Sequence, residues 1–296
     1  MRLVKPGYEI FAASEKKELP YSYDNSENLI EVAGRTCYKS EDQITKESSA
    51  NFVRMLQAKG HCAMIEHSWE IRYYNTTDLP HYKFLNYLQQ AHVGTVVAGN
   101  IRAFNEWDYE YKNEYEIVNN DEAVLNFIHE QERWDMLSAT VKIITDRGVT
   151  HEQVRHRPPA YAQESTRWCN YCQSRFGNHL AFAIPIWLEK YLNTGIVTED
   201  YYSLPSENDD GLTIWLKDMC IAERSYQLLS SKGWIPGRAR SVLPNSLKTE
   251  IVVTADLAEW KHIFKLRTAP DAHEQMREIM IPLQVEFRKI FPEIFI

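Results

Sequence analysis

Apolar residues recur at helical spacing through residues 25–38 (Leu29, Val32, Ala33) and 45–59 (Phe52, Val53, Leu56), which predicts two amphipathic helices. Gly60 stands just past the second, where a helix C-terminus favours glycine. Residues 68–74 (SWEIRYY) alternate and are rich in aromatic and β-branched side chains, the pattern of a strand. The opening LVKPGYEIFAA reads as a strand with a turn at Pro6–Gly7. The middle of the chain predicts a helix near 80–91, a short strand at 94–98 and a helix near 122–132, with Asn119–Asn120–Asp121 as its turn and N-cap. Further strands are expected over 135–145, 180–186 and 248–255. Helices are expected over 209–231, 257–266 and 271–289. Strands and helices mix without strict βαβ alternation, so the pattern predicts one α+β (mixed α/β) domain over residues 1–296.

The segment 146–168 has the densest local signals. Gly148 leads into a short helix expected to start near Thr150, with Gln153 three residues on in a capping-box arrangement. That helix must stop by Arg157, because Pro158 and Pro159 disfavour helical geometry in the residue before them. Arg155 and Arg157 then sit at a helix C-terminus, where the dipole favours cations. Beyond the prolines, AYAQES should be extended, with alternate side chains sharing a face.

The net charge of −8 removes the positive field that a general nucleic-acid surface needs. No apolar run approaches the length of a membrane span, and the first residues lack an apolar signal region, so cytoplasmic residence is the expectation. Five scattered cysteines fit free thiols in a reducing compartment, and Cys169-x-x-Cys172 has neither a second such pair nor a histidine at zinc spacing.

Against this acidic background, Arg155, His156, Arg157, Ser165, Thr166 and Arg167 fall within thirteen positions. Guanidinium forks and hydroxyls at that density suit a phosphate or a pyrimidine carbonyl. His156, between two guanidiniums, is biased towards its neutral form. The plainer alternative is a solvated basic turn pairing with Glu152 or Glu164. His151 and His156 nearly spell a zinc helix, but five residues place them about 140° apart, so they cannot share one zinc and no metal is expected. There is no Gly-x-Gly-x-x-Gly run and no P-loop, so phosphate must be held by side chains and helix termini. Ser165 has no His–Asp pair beside it in sequence and reads as a binding group.

RHRPPAYAQESTRWCNY (155–171) resembles the signature of the flavin-dependent thymidylate synthases. Other segments match that family in its order: RTCYKS (35–40), GHCAMIEHSWE (60–70), DRGVTHEQVRHR (146–157), ARSVLP (239–244) and TADLAEWKHIFKLR (254–267), then Ala272–His273. Residues 74–134 form an extended middle segment relative to compact members. The resemblance implies a central, mostly antiparallel sheet flanked by helices, and active sites assembled between the subunits of a homotetramer. It also implies FAD as cofactor, with NADPH and methylenetetrahydrofolate as co-substrates in converting dUMP to dTMP.

By position, the implied flavin contacts are His67, Arg155, His156, Arg157, Gln163, Asp256 and His262. The implied dUMP contacts are Glu152, Glu164, Ser165, Thr166, Arg167, Arg240 and Arg267, with Arg267 as the catalytic group facing the pyrimidine. Ala160 and Ala162 replace residues that are polar in many members, Trp168 replaces the usual Tyr, and Asp256 and His273 stand where Asn and Gln are common. These departures motivate two alternatives: a related flavin-dependent pyrimidine-nucleotide hydroxymethyltransferase, or a non-catalytic flavin- or nucleotide-binding homologue.

Overall fold

A computed structural model describes residues 1–16, 18–75, 87–90, 95–111, 114–197 and 201–296, with backbone alone at 87–90 and 107–111. The strands are β1 (Arg2–Val4), β2 (Gly7–Ala13), β3 (Glu70–Tyr74), β4 (Tyr87–Gln90), β5 (Thr95–Gly99) and β6 (Glu116–Ile117), followed by β7 (Ser138–Asp146), β8 (Ala160–Gln163), β9 (Ala181–Ala183), β10 (Gly195–Ile196) and β11 (Lys248–Asp256). The helices are α1 (Ser26–Tyr38), α2 (Ser48–Ala58), α3 (Ile101–Tyr111), α4 (Glu122–Glu130) and α5 (Arg147–Gln153), followed by α6 (Gly211–Ser231), α7 (Pro236–Ala239), α8 (Leu257–Arg267) and α9 (Glu274–Ile290).

The architecture is α+β, and the described residues form three sheets rather than one. A wholly antiparallel sheet in the order β2-β7-β11-β8 carries the segments that matter below. A second antiparallel sheet runs β4-β5-β3-β6, and a small one runs β10-β1-β9 with β1 and β9 parallel. The expected first strand divides at Pro6: β1 pairs in the small sheet and β2 in the first one.

Other differences have local causes. The helix expected near 80–91 lies mostly outside the described residues, and its described part is a strand, β4, paired with β5. Twelve residues of mixed polarity did not separate the two periods. Helix α3 was not anticipated in the polar, aromatic run IRAFNEWDYEY; Asn100 caps it by accepting from the Ala103 N–H at 2.9 Å. Helix α5 begins three residues before Thr150, because Asp146 at the end of β7 accepts from the Val149 N–H at 2.8 Å. Thr150 instead donates back to the Arg147 carbonyl at 3.0 Å, so the expected capping box does not form.

Two strands thus run directly into helices through a capping aspartate. Asp146 joins β7 to α5, and Asp256 joins β11 to α8 by accepting from the Glu259 N–H at 2.7 Å. Helix α8 is pinned to the sheet by Trp260, whose indole donates to the Ala139 carbonyl at 3.0 Å. Phe264 and Phe287 pack beside it, joining α8 to α9, and each such buried ring contributes about 2 kcal/mol. The C-terminus of α8 comes to rest against the end of α5, which brings Arg267 to the Arg-His-Arg segment.

Candidate active site

Strand β8 sorts its residues by alternation. Tyr161 and Gln163 share a face with Thr249, Ile251 and Val253 of β11, whereas Ala160, Ala162 and Glu164 lie on the face of Lys248, Glu250 and Thr254. This division decides which predicted residues meet.

On the first face, Arg267 is the organising group. Its Nε–H donates to His156 Nε2 at 2.9 Å, Nη1 to Glu152 Oε2 at 3.0 Å and Nη2 to the Glu152 carbonyl at 3.0 Å. A guanidinium has five N–H donors, so three are engaged within the protein and two remain for a ligand. His156 is buried. Its Nδ1 stands 3.6 Å from Glu259 Oε1, and the exposed His262 ring meets it edge-on with centroids 6.0 Å apart. Tyr161 closes the turn from below, its hydroxyl donating to the Gln153 carbonyl at 2.9 Å. Burial, then Glu259, pushes the Tyr161 phenol far above its ordinary range, so it serves as a donor.

The other end of this face is cationic. Arg240 Nη1 donates to the buried Thr166 hydroxyl at 3.3 Å, and the Ser165 hydroxyl accepts from the Arg167 N–H at 3.3 Å. Arg147, a residue the sequence analysis did not single out, belongs here. Among the described residues its guanidinium makes only 3.4 Å contacts, to the Glu164 carbonyl and the Thr249 hydroxyl. Burial foremost, and Arg240 as a like charge, hold its guanidinium below its ordinary value. Its placement one residue after the capping Asp146 was the available signal: the first turn of a helix that starts at the end of β7 stays beside the neighbouring strand β11. Gln163 bridges the two ends, donating to Thr150 at 2.9 Å and Thr249 at 3.2 Å.

Three predicted residues do not join this face. His67 has no exposed surface. Its Nδ1 bonds the Thr254 hydroxyl at 2.9 Å, which continues through Thr140 at 2.7 Å to Tyr23 at 2.8 Å. Burial pushes its imidazole down to about 3, so it is neutral. His61, of the same segment, is exposed and bonds the Tyr38 hydroxyl at 3.3 Å. Glu164 falls on the far face by strand alternation and accepts from Tyr171 at 2.8 Å and Lys248 at 3.0 Å. Asp256 is buried as the cap of α8 and faces the Glu259 N–H.

Arg155, Arg157 and Arg167 are exposed and, among the described residues, pair with no carboxylate. Arg155 and Arg157 flank His156 in the chain, and unpaired guanidiniums of this kind suit phosphate oxygens. In one chain these groups face solvent. The candidate redox and metal signals carry less. Cys169 and Cys172 are free thiols, and burial pushes the Cys169 thiol up to about 12, away from the reactive thiolate.

A sequence model of the family described as Thymidylate synthase complementing protein (Thy1) matches residues 95–293, more than half of the chain. The chain is 29% identical over 143 residues to a flavin-dependent thymidylate synthase of Pyrococcus furiosus, covering 48% of this chain and 51% of that protein. It is 26% identical over 214 residues to the enzyme of that name from Pyrococcus abyssi, covering 69% and 78%. A Clostridium tetani protein of the same name is 26% identical over 149 residues, covering 50% and 57%. The alignment thus spans about half the length of the Pyrococcus furiosus and Clostridium tetani relatives and over three quarters of the Pyrococcus abyssi one. The matched region contains every group of the first face, from Arg147 to Arg267, and the chain belongs to the Thymidylate synthase complementing protein family, that of the flavin-dependent thymidylate synthases.

Proposed function

We propose that this protein is a flavin-dependent thymidylate synthase that converts dUMP to dTMP, with methylenetetrahydrofolate as carbon donor and FAD reduced by NADPH. The observation that carries this reading is the tethered Arg267 guanidinium, with two donors left free beside the Arg-His-Arg segment of a member of that family. Methylation at C5 requires an electron-rich pyrimidine. The two remaining N–H groups would donate to O4 and N3 of the ring and stabilise its anionic form, and a fixed donor of this kind contributes about 3 kcal/mol. Arg147, Arg240, Arg167 and Ser165 would hold the 5′-phosphate at the cationic end. Arg155, Arg157 and His262 would hold the flavin diphosphate, with His156 packed behind them. A bound flavin supplies the reducing equivalents, and the protein binds and orients.

Exposure of Arg155, Arg157 and Arg167 in a single chain supports a homotetramer whose neighbours complete each site. Free cysteines throughout suit action in the cytoplasm. No helix among the described residues is long and apolar enough to cross a membrane.

The test is direct. Purified protein should be yellow with FAD absorbance, NADPH should bleach it, and dUMP incubated with methylenetetrahydrofolate should gain the mass of one methylene unit. A colourless protein that takes up no FAD and leaves dUMP unchanged sinks the proposal.

A further inference from the structure

We infer that Glu259 is a positioning residue for this reaction: it fixes which nitrogen of His156 carries the ring proton, and thereby where Arg267 points. The inference rests on the reading of Arg267 as the pyrimidine-facing group. Helix α8 meets His156 at three points along its length, through Glu259 near its start, His262 one turn on, and Arg267 at its end.

The proton inventory follows from the donors. Arg267 Nε can only donate, so at 2.9 Å His156 Nε2 must present its lone pair. The N–H of the neutral ring therefore lies on Nδ1. That nitrogen faces Glu259 Oε1 at 3.6 Å, a buried oxygen with no hydrogen-bond partner among the described residues. The separation exceeds a hydrogen bond. The carboxylate nevertheless attracts an N–H and repels a lone pair, and in a buried setting that preference is not screened away.

The opposite tautomer would set the Nε2–H against the Arg267 Nε–H. Arg267 would lose that anchor and keep only its two bonds to Glu152, which allow it to swing about the end of α5. Glu259 touches no reacting atom. Its own backbone N–H is held by the Asp256 cap, so a change of its side chain leaves the start of α8 intact. Loss of one charge-assisted hydrogen bond to the aiming group weakens its alignment about tenfold.

The experiment compares wild type with Glu259→Leu, Glu259→Ala and Glu259→Gln as FAD-loaded full chains. Nitrogen chemical shifts of isotopically labelled histidine report the tautomer of His156, its signals identified by their loss in His156→Gln. Wild type should show the proton on Nδ1. The Leu and Ala variants should shift towards Nε2 protonation and raise KM for dUMP about tenfold, with flavin absorbance and melting temperature retained. Glu259→Gln keeps an acceptor oxygen and should rescue both readouts. The inference is overturned if wild-type His156 carries its proton on Nε2, or if the Leu and Ala variants leave the shifts and KM unchanged. It is equally overturned if all three variants lose melting temperature and activity together, which marks a packing role. Should wild type form no dTMP, the enzymatic reading fails, while the histidine shifts still decide what Glu259 does.

Discussion

The two faces of β8 and β11 carry charge in opposite ways. On the Lys248 face, Glu250 is paired with Lys39 at 2.7 Å, with Lys142 at 2.6 Å and with Lys248, while Lys248 also holds Glu164. Every cation there meets a carboxylate. On the Thr249 face, among the described residues, the Arg147 and Arg240 guanidiniums meet only carbonyl and hydroxyl oxygens, and Arg267 meets one carboxylate with two donors to spare. Matched charge holds the sheet together, and unmatched charge is available to a ligand. The same protein contains both within a single strand's alternation, so counting arginines and lysines would not have separated them.

The largest effect should come from breaking the matched side. Burial alone would raise the Glu250 carboxyl, but Lys248, Lys39 and Lys142 override it and carry it well below the ordinary carboxylate range. Glu250→Ala leaves three lysines facing one another and should cost about 3–5 kcal/mol in denaturant unfolding. The pH dependence has a definite sign. The stabilisation is complete above the unfolded glutamate value of about 4.3 and is lost as pH falls through the lower folded value. Glu250→Gln should therefore flatten the acid limb of the stability curve. An unchanged acid limb would show that the cluster is not the source of that stability.

Next in size is Arg267→Ala, which should lower kcat by a factor of about 100–1000 while leaving flavin bound. Turnover near the wild-type rate would remove Arg267 from the pyrimidine and leave the open face without its principal role.

Arg147→Ala sharpens the contrast from the other direction. Its guanidinium makes only long contacts inside the chain, so the protein should unfold at nearly the wild-type midpoint. The KM for dUMP should rise about tenfold or more, since a charge-assisted phosphate contact contributes about 1.5–3 kcal/mol. Unfolding at much lower denaturant, with KM unmoved, would reassign Arg147 to the sheet.

The sequence made α1, α2, β3, β7, α6, β11, α8 and α9 legible, because long apolar periods and capping residues govern them, but not the short β10 and α7. It also placed Arg267, Arg155, His156 and Arg157 near helix ends. It could not show which face, that of Gln163 or that of Glu164, stays open to a ligand. Extended alternation was expected over this stretch, but which face opens to a ligand is set by what packs on each side, here Lys248 and Tyr171 against Thr150 and Thr249. The burial of His67 was hidden for a similar reason: an imidazole beside a glutamate in a plausible motif carries no mark of burial until β11 supplies Thr254. Arg147 and Glu259 were passed over because each acts through a partner more than 90 positions away in the chain, Thr249 and His156 respectively.

The smallest expected effect tests the comparison most cleanly, because it changes no residue. Raising sodium chloride from about 0.1 to 1 M shortens the screening length from about 10 to 3 Å. Arg155, Arg157 and Arg167 are exposed, so the field they present to an arriving nucleotide should weaken and KM for dUMP should rise a few-fold. The Glu250 cluster is largely sealed from solvent, with Lys39, Lys142 and Lys248 less than a quarter exposed, so ions have little access to it. The unfolding midpoint in the same salt series should barely move. Parallel losses of affinity and stability would mean that the two faces share one pool of exposed charge, and the division between matched and unmatched groups would have to be abandoned.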